Sequence, residues 1–493
     1  MTHMTNPSDT FHAPRLARPT SDLTPFRPGI QNRWTERLAG HLLRRTVIGP
    51  TPREIEEASH VSFSGLVDDL LADYSAPPPP AEWALRDPIR RPLTQEQRDT
   101  ERLQVNELRA WWAELIVNQP LSIRERMVLF WHDHFATQAV DVRRPQFMYQ
   151  QNALFREHAL GNFKTLVQEV TRDPAMLYYL DGVANQAGRP NENYARELME
   201  LFTMGVGNYT EEDVGEAARA LTGWTVEGRQ PLFVGQRFDS GVKQFLGRSG
   251  TFTDRDIIDV IFDQDVTAPF LCRKLYQAFV YDIPDETVVA QMAELLRSNN
   301  YEVLPVLEAL LKSTHFYEDA TIGARIKSPI ELVAGSLRTF GIQAGSGGEV
   351  PGDYVVVLCD TLGQHLLDPP NVAGWPGYRT WISTATLPNR HQITDEIVGG
   401  NPRRIRGQQV SFAPDVIQFI RSMPNPWDAI ELVRSLGRYL TPFEVDADRQ
   451  ELLLSVLLQG AEVYDWNLFD PNARNRVERL LKVVLELPDY QLA

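Results

Sequence analysis

The chain predicts a mainly α-helical, multi-helix globular protein with one small β-hairpin insertion. Three observations carry this: a repeated helix-start grammar, apolar residues at helical spacing, and strand-like patterning confined to one segment. Thr51-Pro52-Arg53-Glu54, Ser328-Pro329-Ile330-Glu331 and Thr441-Pro442-Phe443-Glu444 share one pattern. A hydroxyl caps the first turn, proline occupies the first helical position where no amide is needed, and glutamate returns to the cap amide. Helices are therefore expected to start near Thr51, Ser328 and Thr441. Asp173-Pro174 and Thr210-Glu211-Glu212-Asp213 add two starts of simpler form. Runs such as Phe163, Leu166, Val167, Val170 and Leu452, Leu453, Val456, Leu457 place one apolar face on each helix.

The β exception is Val226 to Thr253, where Phe233, Arg237, Asp239-Ser240-Gly241 and Phe245 suggest a short hairpin turning at Asp-Ser-Gly. Residues 1–32 are rich in Pro, Thr and Asn and read as a mobile arm. Ser75 to Arg102, with Pro77 to Pro80 and mixed charges, reads as a linker-like excursion. Ala344 to Asp353 and Gly399 to Gln408 read as surface loops. Residues 33–493 are otherwise expected to form a single large helical domain, without solenoid repeats.

A chain of 493 residues with 43% apolar content can bury a large core. Its 49 Lys+Arg against 65 Asp+Glu give a net charge of -16, which repels nucleic acid and anionic membranes at long range. Nucleic acid is therefore not an expected partner, and Arg403, Arg404 and Arg406 read as a solvated loop. Cys272 and Cys359 are too few for a disulfide framework and lack metal-ligand spacing. MTHMTNPSDTFHAPRLARPT has no apolar core of signal-peptide length, and no apolar run is long enough to span a membrane. A soluble cytoplasmic protein is the default expectation.

Four residues are candidates for catalysis: His134, Glu197, Arg196 and Arg219. In Leu121 to Ala136 a helical projection puts Ile123, Met127, Phe130, Trp131 and His134 on one face. His134 should then be buried, as a hydrogen-bonded core residue or as a ligand, while His132 and Asp133 turn away. In the helix beginning near Asn191, Tyr194, Leu198, Leu201 and Phe202 form the apolar face and Glu197 lies at its margin. Arg196 can clamp Glu192 and Glu200 one turn away on either side. The functional alternative makes Glu197 an acid or base with His134 as partner and Arg196 or Arg219 as an anion clamp. His134, Glu197 and Glu200 form an incomplete metal set, so no metal is assigned. The same charges read structurally if Arg196 or Arg219 pairs directly with Glu197 or Glu200.

Asp368 to Tyr378, DPPNVAGWPGY, is a rigid loop presenting Trp375, with Trp381 close behind. Asn371, Trp375 and Trp381 are the candidate substrate contacts in this 368–383 loop, which equally suits plugging a helical core. Asp239 and Lys243 flank the expected hairpin turn. Nucleophilic triads, phosphate loops, dinucleotide fingerprints and zinc motifs are absent from the sequence.

PNENYARELMELFTMG from Pro190, followed by YTEEDVGEAARALTGW, resembles the signature of the bacterial family known as domain of unknown function 1800. HLLRRTVIGPTPREI from His41, RERMVLFWHDHFAT from Arg124, KSPIELV from Lys327, DPPNVAGWPG from Asp368 and LELPDYQL near the end fall in that family's order. Many members carry histidines where this chain has Phe202 and Phe238. The resemblance brings no cofactor and no catalytic residue. It implies that relatives often carry export signals and are encoded beside a family resembling exported phosphatases and sulfatases, a possible partner. Two functions are thus expected: a scaffold or secretion accessory, or an enzyme such as a hydrolase, with a pocket around Glu197 and His134.

Overall fold

The computed structural model describes residues 22–30, 32–72, 75–400 and 402–493. Among them are twenty-two α-helices and three two-stranded antiparallel hairpins, so the mainly α expectation holds. The buried side chains join into one contiguous core. No helix of the described residues is long and apolar enough to cross a membrane.

Local sequence explains most helix starts. Thr51 and Ser328 each accept from the amide of the glutamate three residues on, and that glutamate returns to the cap amide, at 2.7 Å in both cases. Asp173 and Thr210 cap the helices Pro174–Tyr179 and Glu211–Ala220. The start expected at Thr441 is wrong. Thr441 instead closes the helix Ala429–Leu440, its hydroxyl donating to Gly437 O and Phe443 O. The next helix, Ala447–Leu458, begins five residues later, because Asp446 caps it and Glu444 does not return.

The excursion expected over 75–102 is shorter than its composition suggests. A further capping box, Thr94 with Gln97, starts the helix Gln95–Val117 inside it. This longest helix packs along Gly352–Thr361, and Gly352 permits the approach, since a Cβ there would lie 2.3 Å from Ala110 O. For the arm expected over 1–32, residues 1–21 and 31 lie outside the described residues. Its described end is fastened to the body, with Phe26 buried among Trp34, Phe63 and Tyr317.

Two hairpins occupy the segment where one was expected. Trp224–Glu227 pairs with Gln230–Phe233, and Lys243–Phe245 with Arg248–Gly250, their turns at Gly228 and Gly247 in the left-handed region. Asp-Ser-Gly is not a hairpin turn. It links the two, with the Asp239 carboxylate accepting from Gly241 N at 2.9 Å. A third hairpin, Arg403–Ile405 with Gln408–Val410, forms where a loop was expected, and its arginines pair with Glu396 and Asp353. Cys272 and Cys359 are both buried and unpaired.

The helix Arg124–His134 runs through the core. His134 is 3% exposed as expected, but His132, expected to be the more exposed of the two, is 1% exposed, against Trp112, Phe155 and Trp375. The projection failed because neighbours cover this helix on every side, so it has no polar face for His132 to occupy. Its half-buried side chains are Leu129, Phe130 and Asp133, and these border a cavity.

Candidate functional site

Four segments supply most of the lining of a cavity of about 310 Å³. The helix Arg124–His134 contributes a stripe at helical spacing, Arg126, Phe130, Asp133 and His134. The helix Thr267–Phe279 brings Lys274, the turn before Pro329–Thr339 brings Arg325 and Ser328, and the Pro/Gly loop brings Trp375, Tyr378 and Trp381.

Asp133 is the carboxylate this architecture isolates. The backbone amide of Trp375 donates to its Oδ1 at 2.6 Å. That approach depends on Gly374, at φ +85°, because a Cβ there would meet Asp133 Oδ1 at 2.3 Å. Burial pushes the Asp133 carboxyl up to about 6, against the opposing pull of the Trp375 amide and the Lys274 charge. Burial likewise brings the Lys274 ammonium down to about 8, with Asp133 opposing. Lys274 Nζ donates to Leu201 O at 3.0 Å, and His134 Nε2 bonds Phe202 O at 3.0 Å. Both acceptors are end carbonyls of the π-helical turn Leu198–Thr203, which closes the signature helix and has no further turn to satisfy them. The signature thus braces two cavity residues through its backbone.

Because Phe202 O can only accept, His134 Nε2 carries the hydrogen. Burial, then the Lys274 charge, holds the imidazole well below its usual pKa, leaving Nδ1 as a bare acceptor with no partner. Trp375, 7% exposed, has an Nε1 donor that also lacks a partner. Across the cavity, Arg126 and Arg325 share Glu331, the latter at 3.5 Å. Burial raises the Glu331 carboxyl, but these two guanidinium groups outweigh it and hold the group well below the carboxylate range.

The expected site residues divide. His134, Trp375 and Trp381 line the cavity, whereas Asn371 accepts from Ala373 N within its own turn and does not. The expected contact of Arg196 or Arg219 with Glu197 or Glu200 is not formed. Arg196 closes on Glu192 and Glu211, and Arg219 on Glu216 and Asp239. The expected Glu192–Arg196 pair is formed, and each guanidinium group combines a carboxylate near it in sequence, Glu192 or Glu216, with one from a neighbouring element, Glu211 or Asp239. Glu200 accepts from Tyr209 Oη at 2.5 Å, and Glu197, half-buried, is raised by burial and then by Glu200. No group of three His, Cys, Asp or Glu that could hold a metal ion occurs among the described residues.

The Arg219 contacts make a prediction. A double-mutant cycle between Arg219→Ala and Asp239→Ala should show coupling of about 1 kcal/mol, whereas Arg219→Ala with Glu197→Ala should be additive. Additivity in the first cycle would show that Arg219 does not hold the hairpin.

Asp133, Lys274, Arg126 and Arg325 were missed in the sequence. The signal for Asp133 was available: residues 126, 130, 133 and 134 share a stripe, which was passed over for a purely apolar face.

Fold and cavity together define a mainly α-helical protein with a polar cavity bordered by its helices and the Pro/Gly loop. The chain belongs to the family described as protein of unknown function (DUF1800), which matches residues 41–492. Comparison with curated proteins and with solved structures returns no match.

Proposed function

We propose that the cavity is an active site performing acid–base chemistry on a small polar molecule, with Asp133 as base and Lys274 as its cationic partner. The observation that supports this most is the placement of the Asp133 carboxylate and the Lys274 ammonium, from different helices, on one cavity bordered by a tryptophan-bearing loop. Trp375 N holds Asp133 Oδ1 and leaves Oδ2 to take a proton from the substrate or from an attacking water. Lys274 would stabilise negative charge developing opposite it, in a setting where little water screens the interaction. Trp381 and Tyr378 supply flat apolar walls for a ring or chain.

The test is a screen of small polar metabolites for thermal stabilisation, followed by turnover assays on the hits. The pH profile of kcat/KM should be bell-shaped. Its rising limb lies near pH 6, where Asp133 ionises, and its falling limb near pH 8, where Lys274 loses its proton. Turnover that is flat from pH 5 to 9, or unchanged in Lys274→Met, would defeat the assignment.

A scaffold or secretion-accessory role, acting with an exported phosphatase- or sulfatase-like partner, takes its support from the signature. Arg196 and Arg219 there are engaged in ion pairs that tie helix to helix and helix to hairpin. Such bonds explain the crowded charges of the signature without chemistry, but they leave the cavity unexplained.

A further inference from the structure

Behind the cavity lies an excess of buried positive charge. Arg44, Arg45, Arg126 and Arg390 are each 6% exposed or less, and Arg325 and Lys327 are close enough to interact with them electrostatically. Among the described residues, Glu331 is the one carboxylate in an ion pair with any of these six. A guanidinium group does not shed its proton near neutrality, so burial must be compensated by partners.

Backbone carbonyls compensate in part. Arg44 donates to Tyr439 O at 2.8 Å, Arg45 to Thr321 O at 2.7 Å, and Arg390 to Lys327 O at 2.8 Å. Part of the remainder lacks a hydrogen-bond partner: Arg45 Nε and Nη1, Arg126 Nε and Arg390 Nη1 are buried donors without one, and so is Arg325 Nη1, which reaches Glu331 only at 3.5 Å. Arg126 and Arg325 line the cavity, as does Trp375, whose Nε1 is a third donor in want of an acceptor. Asp133, Asp282 and Glu331 also line it and would repel an anion, and Lys274, Arg126 and Arg325 offset them.

We infer that the cavity binds the oxyanion of a small molecule, a carboxylate, sulfate or phosphate group, between Arg126, Arg325 and Trp375. This rests on the proposed use of the same cavity and specifies what its substrate carries. The bound group supplies the acceptors those donors lack and the negative charge the cluster lacks. Asp133 and Lys274 then meet the remainder of the molecule.

The experiment is calorimetric titration of the full chain at pH 7 with sodium phosphate, sodium sulfate and sodium acetate, each against sodium chloride of equal ionic strength. At least one should bind saturably at a single site, and which one binds assigns the group. Trp375→Phe, which keeps the ring and deletes the donor, should weaken binding on the order of tenfold, as expected for losing one hydrogen bond to a charged group. Arg325→Met should weaken it further. A separate arginine-lined cleft, with Arg91, Arg98 and Arg102, offers an alternative landing place for anions. Arg102→Gln should therefore leave affinity unchanged.

Absence of saturable binding by all three anions would overturn the inference. So would binding that survives both Trp375→Phe and Arg325→Met, or that Arg102→Gln abolishes. Asp133→Asn separates this from the catalytic reading, because it should preserve or tighten anion binding while stopping turnover. Anion binding with no effect of Asp133→Asn on turnover would sustain the oxyanion site and sink the base.

Discussion

Asp133→Asn should make the protein more stable at pH 8 while eliminating its chemistry. Burial raises the Asp133 carboxyl from its ordinary value near 3.8 to about 6. The folded state therefore holds a proton that the unfolded chain has already released, and the stabilising effect of that proton is lost as pH rises through 6. Above pH 6 the ionised group costs about 3 kcal/mol, the free-energy equivalent of that rise. Asparagine keeps an oxygen to accept from Trp375 N and never ionises. The stability gain should be full at pH 8, shrink below pH 6 and vanish near pH 4, as followed by urea denaturation. A loss of stability at pH 8 would mean that the carboxylate is structural. Stabilisation coupled to lost activity is the expected mark of a group retained for function.

Glu331→Gln should destabilise the fold by about 3–5 kcal/mol, the usual cost of stripping one partner from a buried ion pair. Glutamine can still accept from Ser328 N and preserve the start of the helix Pro329–Thr339, so the loss isolates the charge. Without that charge, Arg126 and Arg325 keep no anionic side chain in contact. Because the Glu331 pKa is depressed in the fold, its contribution is full above the ordinary carboxylate value of 4.5, begins to fall below it and is lost only in strong acid. The wild-type protein should thus keep most of this contribution at pH 4. A denaturation midpoint unchanged in Glu331→Gln at pH 7 would show that the carbonyl acceptors alone hold the arginine cluster.

The helices starting after Thr51, Asp173, Thr210 and Ser328 were legible because an N-cap, with a capping box at all but Asp173, is written within four residues and needs nothing from elsewhere. The same local grammar misled at Thr441. There Asp446 offered a competing cap, and which cap wins depends on where the preceding helix packs. Cavity residues were legible only in part. His134, Trp375 and Trp381 stood out by type, but Lys274 looks like any helical lysine until its helix is laid against the end of the signature helix.

The sequence by itself determined the fold class, the main helix starts, the burial of His134 and the family, because each depends on residue type and short-range spacing. Tertiary structure decided which charges pair. Arg196 and Arg219 had nearby carboxylates in sequence, yet Arg196 also took Glu211 and Arg219 took Asp239, each from a neighbouring element. It also decided what borders the cavity, since residues 126, 133, 274, 325 and 375 come from four separate segments. The physical reason is one of range. Capping and helical periodicity act over a few residues, whereas burial and electrostatic coupling depend on every group within several ångströms, whatever its place in the chain.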